Sequence, residues 1–240
     1  MWSYFPDYRS ICFQNTWKYH YLYPKFEHAI MSKKGLFIAF EGIDGSGKST
    51  QVKKLAAYLE EQGHKVYSTF EPTDSPIGQI IRSIFNHQME GDQRVIAALF
   101  VADRLHHILD SSNGMLKKYN EGYIVITDRY YLSSYVYHSI HDIELDWIIQ
   151  ANSMSANLLK PDLNIFVNIE PEISMQRIVI SRENVEMYEN LNNLKKVQKR
   201  YYEVIEKLKT RENIRVIEGN QPVDMIFEDV LKLVKPLIIY

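Results

Sequence analysis

The sequence predicts an α/β fold, a five-stranded parallel sheet flanked by helices, within a chain of 240 residues. Three observations lead there. Short β-type apolar runs alternate with longer helical patterns, which is how βαβ units around a parallel sheet are written. A glycine-rich string, Gly42-Ile43-Asp44-Gly45-Ser46-Gly47-Lys48-Ser49, separates the first such run from the first helical pattern. The apolar share of 45% and charged share of 24% are those of ordinary globular chains, at a length that fills one sizeable core or two small ones.

Residues 1–30 carry ten aromatic side chains against 12% for the chain as a whole, so this stretch is compositionally foreign. Asp7, Arg9, Gln14, Lys18 and Lys25 interrupt it and leave no apolar core of the kind a secretory signal needs. It reads as an N-terminal extension or a mis-assigned start, with the ordered domain beginning at Met31 and running to residue 240. Within that domain the expected strands are Leu36 to Glu41, Lys65 to Phe70, Tyr123 to Thr127, Leu163 to Ile169 and Ile214 to Glu218, each an apolar run of buried-strand length. Lys48 to Gln62 is an amphipathic helix that Gly63 closes. A further helix spans about Asp92 to Asp110. At 100° per residue, Val95, Leu99, Ala102 and Leu109 share one side, expected to face the core, while Phe100, Arg104 and His107 share the other.

Bulk properties exclude several classes. Twenty-eight basic and thirty acidic residues give a formal charge of -2, which offers no basic field for a nucleic acid polymer. Cys12 is the single cysteine, so neither an intrachain disulfide nor a thiolate zinc site can form, and a reducing, cytoplasmic setting fits. No apolar run approaches the roughly 18 residues that span a bilayer.

The glycine-rich string carries the chemistry. It matches the P-loop pattern, and its strand-to-helix setting is the one in which the pattern becomes a physical site. The glycines let backbone N–H groups converge on phosphate oxygens at the positive end of a helix dipole. Lys48 then neutralises the β and γ phosphates of ATP, and the Ser49 hydroxyl suits a magnesium ion bridging them. No guanine-reading Asn-Lys-x-Asp or switch Asp-x-x-Gly is suitably placed for a GTPase. Asp128 and Arg129 follow the third strand at the carboxyl edge of the sheet, where ligands of such folds bind. There Asp128 can serve the magnesium shell and Arg129 can fork onto a phosphate, although a structural ion pair would look the same. Phe100 beside Arg104 can stack on a base and grip a phosphate, or simply pack beneath another helix. Tyr130, Ser134 and Tyr137 would put three hydroxyls on one helix face, which can read a base or sugar or form a packing surface.

From Met31 onward the sequence resembles the thymidylate kinase family. Phe40-Glu41-Gly42-Ile43-Asp44-Gly45-Ser46-Gly47-Lys48-Ser49-Thr50 is similar to the family's P-loop, and Glu71-Pro72 to its second signature. Asp128-Arg129-Tyr130 with Ser133 and Tyr137 resembles the third, and Lys160-Pro161-Asp162 follows before the fourth strand. The resemblance implies a P-loop kinase with a short lid near residues 182–191 that transfers the γ-phosphoryl group of ATP to dTMP, with Mg2+ as cofactor and a homodimer as the assembly. It implies that residues 42–50 bind ATP, that Phe100 stacks on thymine, and that Arg104 contacts the base or the acceptor phosphate. It further implies that Arg129 holds that phosphate, that Glu71 and Pro72 border the nucleotide, that Ser134 and Tyr137 lie beside base and deoxyribose, and that Asp44 sits between the two nucleotides. The segment near Gly219 to Pro222 would border adenine. Three departures stand out: Gly45 stands where one branch of the family carries a basic residue, a charge that would normally shift to the lid; this lid is lean in arginine, leaving Arg182 as the expected transition-state cation with Arg177 nearby; and His138 stands where a glutamine is often found. The rival readings are a kinase for another nucleoside monophosphate, a deoxynucleoside kinase with Glu41 as base, and a non-catalytic P-loop nucleotide sensor.

Overall fold

The computed structural model describes residues 35–181 and 190–238. The expectations for residues 1–30, for Arg182 and for the lid up to residue 189 therefore lie outside the described residues.

Strand β1 (Leu36–Glu41) leads into helix α1 (Lys48–Glu61), and β2 (Val66–Phe70) into α2 (Pro76–Phe85) and α3 (Gln93–Leu109). After α4 (Met115–Asn120) come β3 (Ile124–Asp128), α5 (Tyr131–Tyr137), α6 (Leu145–Ala151), α7 (Ser153–Leu158) and β4 (Leu163–Asn168). The chain then forms α8 (Pro171–Ser181), α9 (Leu191–Leu208), β5 (Ile214–Glu218) and α10 (Val223–Val234). The five strands run parallel in the order β2-β3-β1-β4-β5. Each expected strand is present within one residue at either end.

Strand side chains alternate between the two faces, so each face feeds its own core. Ile38, Phe40, Ile126, Ile165 and Val167 pack with α1 and α10 through Val52, Leu55, Leu59, Ile226 and Val230. Phe37, Ala39, Val125 and Phe166 face α5 and α9 instead, against Tyr131, Val136, Leu194, Val197 and Tyr201. Helix α1 ends as expected: Gly63 takes a left-handed φ of 83° and its N–H donates to the Glu60 carbonyl at 2.9 Å.

Helix α3 corrects the expectation. Val95 is 50% exposed and Leu109 53% exposed, while Ile96, Ala97, Asp103, Arg104, His107 and Ile108 are buried. Half of the inward face is polar, which hydrophobic periodicity cannot detect, and every charge on it has a partner. Asp103 accepts from the Thr73 N–H at 2.8 Å and from the hydroxyls of Thr73 and Ser75 at 2.6 and 2.8 Å. Arg104 and His107 both reach Glu71. With those groups satisfied, burying them costs less than the sequence alone suggests, and the apolar stripe is left outward.

Candidate active site

Because β1 and β3 are adjacent, their carboxyl ends bring Gly42 to Ser49 and Asp128-Arg129 together, in register at Phe40 opposite Asp128. The loop between β1 and α1 is shaped by glycine. Gly42 has φ 148° with the Val167 carbonyl 2.7 Å from where a Cβ would stand, and Gly47 caps α1 in the left-handed region at φ 96°. The helix has no side-chain cap and no acid in its first turn. Its first N–H groups have no intrahelical partner, so this end of α1 is ready to donate to anionic oxygen.

Lys48 is 6% exposed and donates to the Ile43 carbonyl at 2.9 Å, with the Ser46 hydroxyl at 3.4 Å. Burial, with Arg129 repelling it, brings its pKa down to about 8, against the pull of Asp128, Asp44 and Glu41. The Ser49 hydroxyl donates to Asp128 Oδ2, while Asp128 Oδ1 is buried without a partner. That hydroxyl and that orphaned oxygen fit a hard cation of the Mg2+ type, which keeps most of its shell as water and phosphate and takes few protein ligands. Thr50 is exposed on the first turn of α1, and the Ile43 side chain is in the core, so Ile43 offers the loop only its backbone.

Arg129 occupies a left-handed backbone position at φ 72°, which costs a non-glycine residue about 1–3 kcal/mol and persists only where neighbours enforce it. They do so here: its N–H donates to the Phe40 carbonyl at 2.8 Å, and its own carbonyl accepts from the Thr127 hydroxyl at 2.9 Å. The guanidinium donates to the Gly42 carbonyl at 3.2 Å, the Ser133 hydroxyl at 3.0 Å and Asp44, and lies 4.9 Å from the Tyr137 ring centre. Asp44 also accepts from the Tyr137 hydroxyl at 2.9 Å. Burial acts to raise the Asp44 pKa, but Arg129 and Lys48 outweigh it and hold the carboxyl below its ordinary value.

Beside this cluster opens a cavity lined at one end by Asp44, Arg129, Ser133 and Tyr137, and elsewhere by Ser134, Pro72, Phe100, His138, Arg82, Phe85 and Asn86. Phe100 stands in an aromatic group, its ring 5.2 Å from His138 and 6.0 Å from Phe85. His138 is 2% exposed, and burial, with Arg104 and His141 repelling charge, takes its pKa down to about 3, so the ring is neutral. Its Nδ1 is buried without a partner.

Three expected site residues are elsewhere. Arg104 is 1% exposed and lies behind the cavity wall, bonded to Glu71 at 2.6 and 2.9 Å and to Ser134 at 3.0 Å, with Asn152 as a further acceptor. Glu71 is likewise buried, engaged with Arg104 and His107, and does not line the cavity. Once Glu71 is buried, charge balance keeps the guanidinium with it rather than in the cavity. Tyr130 does not share a face with Ser134 and Tyr137: it is fully buried, and its hydroxyl donates to the Leu159 carbonyl at 2.9 Å.

Arg82, Phe85 and Asn86 were missed by sequence reasoning. A signal was present in Ser75-Pro76, where the serine caps α2 by accepting from the Gly78 N–H at 3.1 Å and proline fills its first turn. Arg177 on α8 donates to the Gly219 carbonyl at 3.1 Å, and its Nη1 is 4.0 Å from where a Cβ on Gly47 would stand. The Gly219 to Pro222 segment is thereby tied to the phosphate loop, which Gln51 reinforces by donating to the Val223 carbonyl at 2.9 Å.

The lowered pKa of Lys48 has a measurable consequence. Below pH 8 the free ammonium is already protonated, and above it the group loses its proton until a bound triphosphate restores it. ATP binding at pH 8.5–9 should therefore take up a proton, read by calorimetry in buffers of different ionisation enthalpy and absent in Lys48→Met. Binding without uptake in the native chain would contradict this placement of Lys48.

Comparison with known proteins gives one family. The family model described as thymidylate kinase matches residues 40–230. A thymidylate kinase of Caldicellulosiruptor saccharolyticus is 38% identical over 210 residues, covering 85% of this chain and 98% of that protein. A probable thymidylate kinase of Pyrococcus horikoshii is 35% identical over 84% of this chain and 97% of its own. For a thymidylate kinase of Ligilactobacillus salivarius the identity is 36%, over 83% of this chain and 97% of the relative.

Proposed function

The chain belongs to the thymidylate kinase family, and on that premise we propose how this site transfers the γ-phosphoryl group of ATP to dTMP, giving dTDP and ADP. The observation that carries the proposal is the juxtaposition of a helix end without a side-chain cap, bearing Lys48, with a cavity whose near end is Arg129 and whose far end is aromatic. A triphosphate on residues 42–50 and a nucleotide monophosphate in the cavity would then meet at Arg129, with Asp44 between them.

Lys48 neutralises the β and γ phosphates, and Ser49 and Asp128 would hold Mg2+, which supplies charge neutralisation between those phosphates when bound. Arg129 grips the acceptor phosphate. Phe100 stacks on thymine, Ser134 and Tyr137 flank base and deoxyribose, and Pro72 closes the wall. Arg104 and Glu71 act one layer back, the guanidinium fixing Ser134. Arg177 and the Gly219 to Pro222 segment border adenine, and Arg182 is proposed as the transition-state cation by family resemblance. The acceptor is already an anion at neutral pH, so alignment and charge neutralisation suffice without a general base.

The buried state of Glu41 weighs against the deoxynucleoside reading. Its two oxygens accept from the Tyr130 and Ser133 N–H groups at 3.0 and 3.3 Å and from the Ser133 and Tyr201 hydroxyls at 2.6 and 3.0 Å. Four donors leave no lone pair facing a sugar hydroxyl. A coupled assay across dTMP, dUMP, UMP, CMP and thymidine tests the assignment: dTMP should be the best acceptor and thymidine inert. Turnover of thymidine, or ATP binding with no acceptor used, would replace it with the deoxynucleoside kinase or the sensor.

The outward stripe of α3, with Val95 and Leu109 half exposed, supports a homodimer in which a second copy covers it. Sedimentation should then give twice the 28.3 kDa chain mass, falling to one chain for Val95→Glu with Leu109→Glu. A native chain that sediments as a monomer at micromolar concentration would refute the dimer. Among the described residues no helix is long and apolar enough to cross a membrane, and the single cysteine supports a reducing, cytoplasmic setting. The catalytic unit is taken as residues 31–240; residues 1–30 precede the stretch matched by the family model.

A further inference from the structure

Arg129 lines the cavity together with two of the groups that hold it, Asp44 and Ser133, and the other partners of Ser133 lie behind the cavity wall. The Ser133 hydroxyl accepts from Arg129 Nη1 at 3.0 Å, donates to Glu41 Oε2 at 2.6 Å, and lies 3.1 Å from the Tyr201 hydroxyl. Tyr201 in turn reaches the same Glu41 oxygen at 3.0 Å. Glu41 is fully buried, Tyr201 is 1% exposed and neither lines the cavity.

We propose that Glu41 and Tyr201 are positioning residues for the acceptor-phosphate arginine, acting through the Ser133 hydroxyl, and that α9 thereby helps set the affinity for the monophosphate. The inference rests on the reading of Arg129 as the group that holds the acceptor phosphate.

A serine hydroxyl has one hydrogen and two lone pairs, and its rotation is free unless a partner fixes it. Glu41 takes that hydrogen, so the lone pairs must turn away from the carboxylate, and one of them meets Arg129. Were the hydrogen released, the hydroxyl could rotate it toward the guanidinium and set donor against donor. Tyr201 contributes the second hydroxyl on Glu41 Oε2, which holds the carboxylate in the plane that keeps Ser133 engaged.

The other carboxylate oxygen acts on the backbone. Glu41 Oε1 accepts from the N–H groups of Tyr130 and Ser133, the residue after Arg129 and the one on which its guanidinium rests. One carboxylate therefore fixes both the left-handed loop that presents Arg129 and the hydroxyl that receives its side chain. The Tyr201 ring is held independently of any ligand, 4.7 Å from Phe166 and edge-on to Tyr137 at 6.4 Å. Its hydroxyl thus has a fixed address set by packing on β4, and α9 enters the anion-gripping network without touching the nucleotide. A buried carboxylate is an expensive way to join two elements when apolar packing would serve, and four donors are what make it tolerable here.

Tyr201→Phe keeps the ring and deletes one hydroxyl. It should raise KM for the monophosphate about tenfold while leaving KM for ATP within about twofold, the size expected for one hydrogen bond in a charged network. Ser133→Ala should show the same split, and the double variant should be no worse than Ser133→Ala alone, because both act along one path. Glu41→Gln offers a second entry if Tyr201→Phe folds poorly, with the same one-sided rise expected. Effects that multiply in the double variant, equal rises in both KM values, or a fall in Tm with both KM values unmoved would overturn the proposal. Turnover of dTMP by the native chain checks the underlying reading separately: if another monophosphate proves to be the acceptor, the KM split is measured with that one.

Discussion

Lys48→Met lowers kcat by about 10²–10³-fold with little change in Tm, the loss expected when one preorganised charge is removed from a developing anion. The lysine is nearly fully buried and carries an ammonium that burial disfavours, so its charge is held at a cost to the fold. Methionine has similar length and no charge. It forfeits the bond to the Ile43 carbonyl, worth about 1 kcal/mol, and recovers a comparable amount in desolvation. Activity and stability should therefore separate. Steady-state kinetics with thermal melting checks this: a Tm collapse in parallel with kcat would make Lys48 a structural residue instead.

Arg129→Ala is the second large effect, with kcat/KM for dTMP down by about 10²–10³-fold and ATP binding changed only a few-fold. The change removes a guanidinium that lines the cavity and leaves Asp44 without its ion-pair partner; truncating one member of a desolvated charge pair typically costs about 2–5 kcal/mol. Arg129→Lys should recover little, because a point charge cannot reproduce a fork that spans Gly42, Ser133 and Asp44. The backbone supplies an internal control. At φ 72° glycine is at ease and alanine is not, so Arg129→Gly should be more stable than Arg129→Ala by about 1 kcal/mol while equally inactive. If alanine and glycine gave equal stability, the enforced left-handed position of Arg129 would be wrong.

The sheet was legible because it is written in buried apolar runs, and the phosphate loop because each of its residues answers a separate demand of backbone shape, dipole or charge. Helix α3 was legible in its extent and not in its orientation. Its buried face depends on Asp103, Arg104 and His107 finding partners on the segment from Thr69 to Ser75, about thirty residues earlier, and no local pattern reports a pairing at that distance. Arg104 shows the same limit from the side of function. Its spacing from Phe100 placed it correctly on the helix, but only Glu71 decides that it stands behind the cavity wall. Tyr130 was misread because a helix face was extended one residue past its start: the residue is the cap of α5, with extended backbone, and its ring turns into the core. The Ser133, Glu41 and Tyr201 cluster joins three elements far apart in sequence, so only the fold brings it into view.

In the proposed function the phosphoryl group passes directly from a triphosphate on the α1 loop to a monophosphate held at Arg129. Phosphorus NMR of the native chain with ATP, Mg2+ and dTMP reads this without coupling enzymes. ATP should fall as ADP and dTDP rise in equal amounts, with no free phosphate. Inorganic phosphate appearing in place of dTDP, or ATP bound and left intact beside dTMP, would contradict it.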